Sequence, residues 1–473
     1  MVFSSILFLL YFLPAFLLCY FLSPAKWKNT VALLASALFY LWGAPRFFFV
    51  LLFSLLLDFY LVRLTHHARG ALRQGLLVLT IAIDLGLLLG AKYLGFFTEN
   101  LSLLLQSLGG EGITALSFVL PIGISFITFQ RLSYVIDCYW GRVAPQEKLG
   151  DYCLYILLFP QLIAGPIVRY REIAAQLEDR RSQDSIDHRW RGLLRFVTGL
   201  VKKVLIANVL GALVDQIFAG PPDALNATTA WVGIIAYSFQ IYFDFSGYSD
   251  MAIGLAGMLG FRFPENFNFP YLSRSITEFW RRWHLTLSSW MRDYLYIPLG
   301  GNRVSTVRLY VNLWVVFLLS GLWHGAAWTF IVWGIFHGAF LVLDRLFLLR
   351  LLEGMGKIPA TLLTYLIVLV GWTFFRAPSI EAALAYLRVM AMGEWSGMQL
   401  YAPQQFWLVL ALATLAAFAG IWERTQAWSL AWYRGVEHPF WLGVKAVIST
   451  LLVWWCLGAI YSSDFNPFIY FKF

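Results

Sequence analysis

Two histidines, His324 and His337, stand in the run Tyr310 to Leu343, which contains no Asp, Glu, Lys or Arg. An ionisable side chain in so apolar a stretch is costly unless it faces a protein interior or a watery cavity, and such residues mark functional sites. His324, within SGLWHGAAW, is the one this rule selects for acid–base or nucleophilic chemistry. Gly321 and Gly325 flank it, and they would let the backbone approach a ligand or break the helix to open a cavity. The same Gly-x-x-x-Gly spacing is also a helix-packing signature, with the imidazole hydrogen-bonded to a neighbour's carbonyl, and the residues alone leave both readings open. On one continuous helix the two histidines would lie ~20 Å apart along the axis and ~140° apart around it. They would not share an ion, and the chain has no HExxH or Cys/His cluster, so no catalytic metal is expected.

His284 has a different setting, TEFWRRWHLTLSSWMRDYLY from Thr277 to Tyr296. Arg281, Arg282 and Arg292 surround it, with Trp283 before it and Thr286, Ser288 and Ser289 after it. Guanidinium groups beside an apolar entrance suit a phosphate-bearing donor such as a coenzyme A thioester or a phosphopantetheine-bearing protein. They equally suit lipid phosphates. Phe279, Trp280, Trp283, Leu287, Trp290 and Leu295 recur near helical spacing, so the segment reads as an amphipathic helix lying in the membrane interface. In YFDFSGYSD, Asp244, Ser246, Tyr248 and Asp250 are polar groups inside an apolar segment, as are Arg131 and Asp137 in FQRLSYVIDCY. Each needs a partner or water, and a structural ion pair is the default role. There is no GxSxG elbow, Walker A loop or GxGxxG fingerprint, and none of the seven histidines has an Asp five positions later.

The elements that must carry these groups are membrane helices. Of 473 residues 60% are apolar and 13% charged, against ~25% charged in soluble domains, and mean hydropathy is +0.69. A hydrocarbon core ~30 Å thick takes ~20 helical residues. By that measure the chain is an all-α polytopic membrane protein of roughly eleven spans, read as one domain over residues 1–473. Clear segments are Val2 to Leu22, Thr30 to Tyr40, Phe47 to Leu64, Gly75 to Phe97, Val232 to Leu259, Tyr310 to Leu343, Pro359 to Phe375, Phe406 to Ile421 and Val444 to Tyr461; between Phe118 and Leu213 short or re-entrant helices are expected. Lys26 and Lys28 follow the first apolar run, the reverse of a secretory signal, so that run is expected to remain as the first span. Arg169 to Lys203 holds nine basic and five acidic residues, and Pro264 to Arg308 six and three. The positive-inside rule places both in the cytoplasm, makes residues 264–308 cytoplasmic-side interfacial helices and puts the N-terminus outside. It also accounts for the net charge of +9 without a nucleic-acid partner. Cys19, Cys138, Cys153 and Cys456 have no CxxC spacing and read as small apolar residues.

The run YFDFSGYSDMAIGLAGMLGFRFPENFNFPYLSRSITEFWRRWHLTLSSWMRDYLYIPLGGNR, followed by GLWHGAAWTFIVWGIFHG, resembles the membrane-bound O-acyltransferases, and within them the bacterial alginate O-acetyltransferase branch. PIGISF near Pro121, FPQLIAGPIVRY near Pro160 and the terminal FNPFIYFKF resemble that branch too, so the similarity spans nearly the whole chain. Ala326, Ala327 and Trp328 follow WHG where other members carry different residues.

The resemblance implies a funnel-shaped multi-helix fold whose cytoplasmic and external cavities meet at a central histidine. His324 matches the catalytic histidine, and His284 in RRWH matches a second important histidine near the donor tunnel. It implies acetyl transfer from a cytoplasmic thioester across the bacterial inner membrane for O-acetylation of a cell-surface polysaccharide, alginate first, then cellulose or peptidoglycan. Acetyl-CoA or a carrier thioester would be the donor substrate, with no permanently bound cofactor. Arg281, Arg282, Trp283, Arg292 and Trp323 are expected on the donor path, and Asp244, Ser246, Asp250 and Asn266 as supporting polar groups. Membrane lipids, a periplasmic protein that accepts or passes on the acetyl group, and a polysaccharide synthase or export complex are the expected partners. His324 would serve as general base on an external hydroxyl, with an acetyl-histidine intermediate as the other route. The competing class is a transporter or proton-relay protein; its inverted repeats are not visible here.

Overall fold

The computed structural model describes residues 2–114, 120–421, 432–433, 439–463 and 469. Every regular element among them is helical. Among the described residues, eight helices are long and apolar enough to cross a membrane: Pro45–His67, Gly70–Ser107, Ile186–Ala219, Thr306–His324, Trp328–Met355, Lys357–Arg376, Gln404–Ile421 and Pro439–Tyr461. Their outward faces carry side chains such as Phe49, Phe53, Leu64, Leu408, Trp454 and Trp455, all exposed. So much apolar surface is stable only in lipid, where helices are favoured because they satisfy their own backbone. The protein is a multi-pass membrane protein.

Three of the expected spans fall outside those eight. The first apolar run forms a π-helical turn, Leu7–Phe12, continued by Leu13–Leu22, and the second forms Lys28–Gly43; both are under 18 residues. The third, Ala227–Met258, is 32 residues long but devotes Gln240, Asp244, Ser246, Ser249 and Asp250 to buried positions, which lowers its hydropathy. The uneven stretch after Phe118 contains short helices and then one long one, Ile186–Ala219. Residues 115–119 and most of the terminal FNPFIYFKF motif lie outside the described residues.

The chain divides into two compact units: Met1–Ser185 with Leu259–Phe263, and Ile186–Met258 with Pro264–Phe473. In the first, α1 (Pro45–His67), α2 (Gly70–Leu88) and α3 (Ile124–Tyr139) are tied by Arg131, whose Nε and Nη2 lie 2.5 Å from Asp58 and 2.5 Å from Asp84, all three fully buried. Arg131 thus finds its partners on other helices, whereas Asp137 pairs with Arg142 just beyond its own helix. The PIGISF and FPQLIAGPIVRY motifs meet here. Gly123 has φ 73°, and a Cβ on it would sit 2.1 Å from the Leu162 carbonyl oxygen, so only glycine fits.

The second unit is built on α4 (Ile186–Val201) and α5 (Ala227–Met258). Gly192 and Gly199 on one helix face Gly254 and Gly247 on the other; a Cβ on Gly199 would stand 2.4 Å from the Gly247 oxygen, and one on Gly192 2.6 Å from that of Gly254. Small residues seven apart on both helices bring backbone against backbone, the close approach that dispersion rewards in lipid. Ion pairs line the seam: Lys203 with Asp244 at 2.6 Å, and Asp250 with Arg195 at 2.7 Å and Lys202 at 2.6 Å. After Pro264 come two short helices, α6 (Ile276–Trp280) and α7 (Leu285–Met291), then α8 (Thr306–His324), α9 (Trp328–Leu343) and α10 (Lys357–Arg376).

Two expectations are corrected. Thr277 to Tyr296 is not one amphipathic helix, because His284 takes φ 44°, ψ 55° and breaks it. Phe279, Trp280, Trp283, Leu287 and Trp290 are buried in the protein rather than submerged in lipid. Nor is Tyr310 to Leu343 continuous: Gly325 and Ala327 are extended, with ψ 152° and 153°, and the chain reverses between α8 and α9.

Candidate active site

The reversal after α8 builds the site. Gly321 makes the hairpin close: a Cβ there would lie 2.4 Å from the Phe330 oxygen and 3.2 Å from the Gly334 Cα. Gly321 packs the two helices, and the chain leaves the helix at Gly325. His324, the last residue of α8, is 4% exposed. Trp323, Trp333 of α9 and Phe375 of α10 present rings to it at centroid distances of 4.8, 4.9 and 5.3 Å, all close to edge-on. His337 lies one turn beyond Trp333 on α9, 4.9 Å between centroids, so the hairpin sets both histidines against the one indole of Trp333. His337 rests on Trp280 at 5.1 Å, and its Nδ1 has no hydrogen-bond partner among the described residues.

His284 is fixed by the loop before α6. Asn266 accepts at its backbone oxygen from the Leu285 N–H, 2.9 Å, and its side-chain Oδ1 accepts from the Thr286 hydroxyl, 2.8 Å. The Asn266 amide donates to Ser249 Oγ at 3.0 Å, which sets its orientation. Oδ1 also lies 2.9 Å from His284 Nδ1. As an acceptor there it requires Nδ1 to carry the proton, which leaves Nε2 as the basic nitrogen of the neutral ring. The left-handed backbone of His284, unfavourable by ~1–2 kcal/mol for a side chain with a Cβ, is held by these bonds. Phe245 meets the ring edge-on at 4.7 Å, and burial pushes its imidazole down to about 3. Trp323 stands between the histidines, 6.0 Å from the ring of His284 and 4.8 Å from that of His324.

The expected donor residues separate. Arg281 and Arg292 line a cavity of 510 Å³, together with Ser288, Ser289 and Ser320. Arg282 turns instead to Glu278, 2.8 Å, and to the Asn268 carbonyl. Although burial works against it, the Arg274 N–H and the Arg282 guanidinium hold the Glu278 carboxyl below its ordinary value. Trp283 is buried among Phe267, Phe279 and Trp372. Of the supporting groups, Asn266 holds His284, Asp244 and Asp250 belong to ion pairs, and the Ser246 hydroxyl is buried without a hydrogen-bond partner among the described residues. The described residues contain no group of three or more His, Cys, Asp or Glu placed to hold a metal ion.

Leu313, Val316, Phe317 and Ser320 line the cavity along one stripe of α8, and the next turn of that stripe carries Trp323 and His324. His324 itself is not on the wall. Trp280, which is, lies 5.5 Å from Trp333, whose ring lies 4.9 Å from that of His324. Trp280, Trp333 and Phe375 come from three elements far apart in sequence, α6, α9 and α10, so no spacing marks them as a set.

The profile of the MBOAT, membrane-bound O-acyltransferase family matches residues 148–352, which include both site histidines and the cavity arginines. A probable alginate O-acetylase of Azotobacter vinelandii is 44% identical over 423 residues, covering 88% of this chain and 83% of that protein. The chain belongs to the membrane-bound O-acyltransferase family. A probable alginate O-acetylase of Pseudomonas aeruginosa matches at 44% over 436 residues, 88% of this chain and 81% of the other. A peptidoglycan O-acetyltransferase of Helicobacter pylori matches at 37% over 425 residues, 82% and 80%. This membrane-bound O-acyltransferase is therefore an acyltransferase of the alginate O-acetylase type, and the matched span holds the α8–α9 hairpin.

Proposed function

We propose that this acyltransferase takes an acetyl group from a cytoplasmic thioester and delivers it, by way of His324, to a hydroxyl on the far side of the inner membrane, for O-acetylation of a cell-surface polysaccharide. The observation that carries this reading is the cavity lined both by arginines and by an apolar stripe of α8 whose next turn carries His324. Leu313 to Ser320 is ~10 Å of helix, within reach of an extended pantetheine arm. To meet the imidazole, the acyl end must displace the indole of Trp280 or Trp333. There His324 acts as general base on the acceptor hydroxyl or accepts the acetyl group itself, while His284, buried and neutral, braces Trp323. Alginate is the first candidate polymer, supported by the names of the relatives at 44% identity, with peptidoglycan next. A separate periplasmic protein supplies the acceptor or completes the transfer, within a polysaccharide synthesis or export complex.

Purified His324→Ala protein, given labelled acetyl thioester and an acceptor, is expected to lose transfer by ~10²–10⁴-fold while keeping the wild-type melting temperature and elution volume. Wild-type turnover by that variant would overturn the reading. Uptake of label into vesicles without thioester cleavage would instead place the protein among transporters.

A further inference from the structure

A second cavity, of 290 Å³, lies in the same unit and shares no lining residue with the arginine-lined one. Three membrane helices build it. Ile186–Ala219 contributes Asn208 and Gln216, Gln404–Ile421 contributes Gln405 and Phe406 from its first turn, and Ser462 comes just past Pro439–Tyr461. Tyr401, 85% exposed, lines it from the loop before Gln404. Chain direction places this cavity away from the basic stretch Pro264 to Arg308. Ile186–Ala219 ends shortly before α5 begins, and α5 then runs for 32 residues to reach that stretch, a rise of ~48 Å. With residues 264–308 in the cytoplasm, the cavity is on the external side. None of the described residues on its wall is charged. The carboxamides of Gln216 and Gln405 are exposed and make no hydrogen bond among the described residues. The Ser462 hydroxyl donates to the Ala459 carbonyl at 3.3 Å and keeps its lone pairs for a ligand. Asn208 sits within an apolar span, where an amide is costly unless a partner or a cavity receives it. Buried Leu213 and Phe406 supply apolar surface beside these groups.

We propose that this cavity is a binding site for one unit of a neutral saccharide chain. Sugar hydroxyls both donate and accept, and so do carboxamide and hydroxyl side chains, which makes Gln216, Gln405 and Ser462 their match. A sugar ring also has an apolar C–H face, which the exposed ring of Tyr401 can cover. The volume is at the lower end of the ~300–1,000 Å³ that small-molecule sites span, enough for a single unit. Other occupants fit less well. Phosphate, carboxylate and lipid headgroups call for guanidinium or ammonium partners, and this wall offers none. An acyl tail would bury the amides without a hydrogen bond. A bound peptide uses a free strand edge or an apolar groove, and the wall is helical and amide-bearing. The inference rests on the transferase reading above and narrows its polymer. Every unit of a uronate chain carries a carboxylate that would find no cation here, so the site favours a neutral polymer over alginate.

Equilibrium binding to full-length protein in neutral-lipid nanodiscs tests this, with β-linked hexasaccharides of glucose and of N-acetylglucosamine as probes and a mannuronate hexasaccharide beside them. At least one neutral probe is expected to bind more tightly than the mannuronate. Gln405→Ala and Tyr401→Ala are each expected to weaken it on the order of fivefold, while Tyr401→Phe, which keeps the ring, stays within about twofold of wild type. Both alanine variants should keep the wild-type elution volume and cleave acetyl thioester at the wild-type rate, because neither residue belongs to the histidine site. Mannuronate bound as tightly as the neutral probes overturns the inference. So does neutral-probe binding that the alanine variants leave unchanged, or the absence of binding by any probe. Binding that disappears when short-chain lipid is added assigns the cavity to lipid and also overturns it. In each of those cases continued thioester cleavage leaves the transferase reading standing, whereas a wild-type protein that cleaves no thioester sinks that reading itself.

Discussion

His284 shows how a single residue can be costly to place and still be kept. Its backbone is left-handed, its ring is fully buried, and three groups of one asparagine and one threonine hold it. Because burial lowers its folded value to about 3, from ~6.5 in an unfolded chain, the neutral ring's contribution to stability is complete above pH ~6.5. It is lost progressively as pH falls from there toward 3, by at most ~1.4 kcal/mol per unit. Melting curves between pH 8 and 4.5 should therefore drop more steeply for the wild type than for His284→Gln, which cannot titrate; parallel slopes would refute the assignment. Residue type alone had singled out His284, His324 and the arginines beside the RRWH motif. What it could not show was which guanidiniums face a cavity. Arg281 and Arg282 are neighbours in sequence, yet one lines the cavity and the other binds Glu278.

At the scale of elements, misreadings came from periodicity averaged across a break. Two short helices joined at His284 keep apolar residues near a 3.6 spacing, so they read as one long amphipathic helix. Tyr310 to Leu343 is apolar throughout, and nothing in hydropathy marks the reversal at Gly325. Intramembrane charges were more legible. Arg131, Asp244 and Asp250 needed partners on energetic grounds, and each has them. Arg131 is the sharpest case, since Arg131→Ala would leave two carboxylates buried without a counter-ion. It is expected to destabilise the protein by ~3–5 kcal/mol, read as a loss of melting temperature in detergent. Neutralising all three positions, as Asp58→Asn, Asp84→Asn and Arg131→Gln, should recover much of that. A single Arg131→Ala variant with an unchanged melt would show that the triad contributes nothing.

For the molecule as a whole, the proposed reaction has a simple charge balance. The thioester loses an acyl group and its sulfur gains a proton; the external hydroxyl loses a proton and gains the acyl group. One acyl moves outward and one proton inward, so no net charge crosses the bilayer. A charge moved across 100 mV would involve ~2.3 kcal/mol; here that work vanishes. Acetyl transfer in proteoliposomes is accordingly expected to be unchanged, within about twofold, when a potential of either sign is imposed with a potassium ionophore, whereas a proton-relay transporter would respond. The membrane class and helical fold were plain from composition, because lipid leaves few alternatives. Where the helices come closest was not. Along α4 and α5 the glycines leave no side chains to act as bearings, and peptide groups touch directly. A joint packed this closely leaves no slack between its backbones, so it is expected to stay shut. Room for a passing acyl chain must then come from swinging rings, and the slowest motion in each catalytic cycle should be the turning of an indole rather than the parting of these two helices.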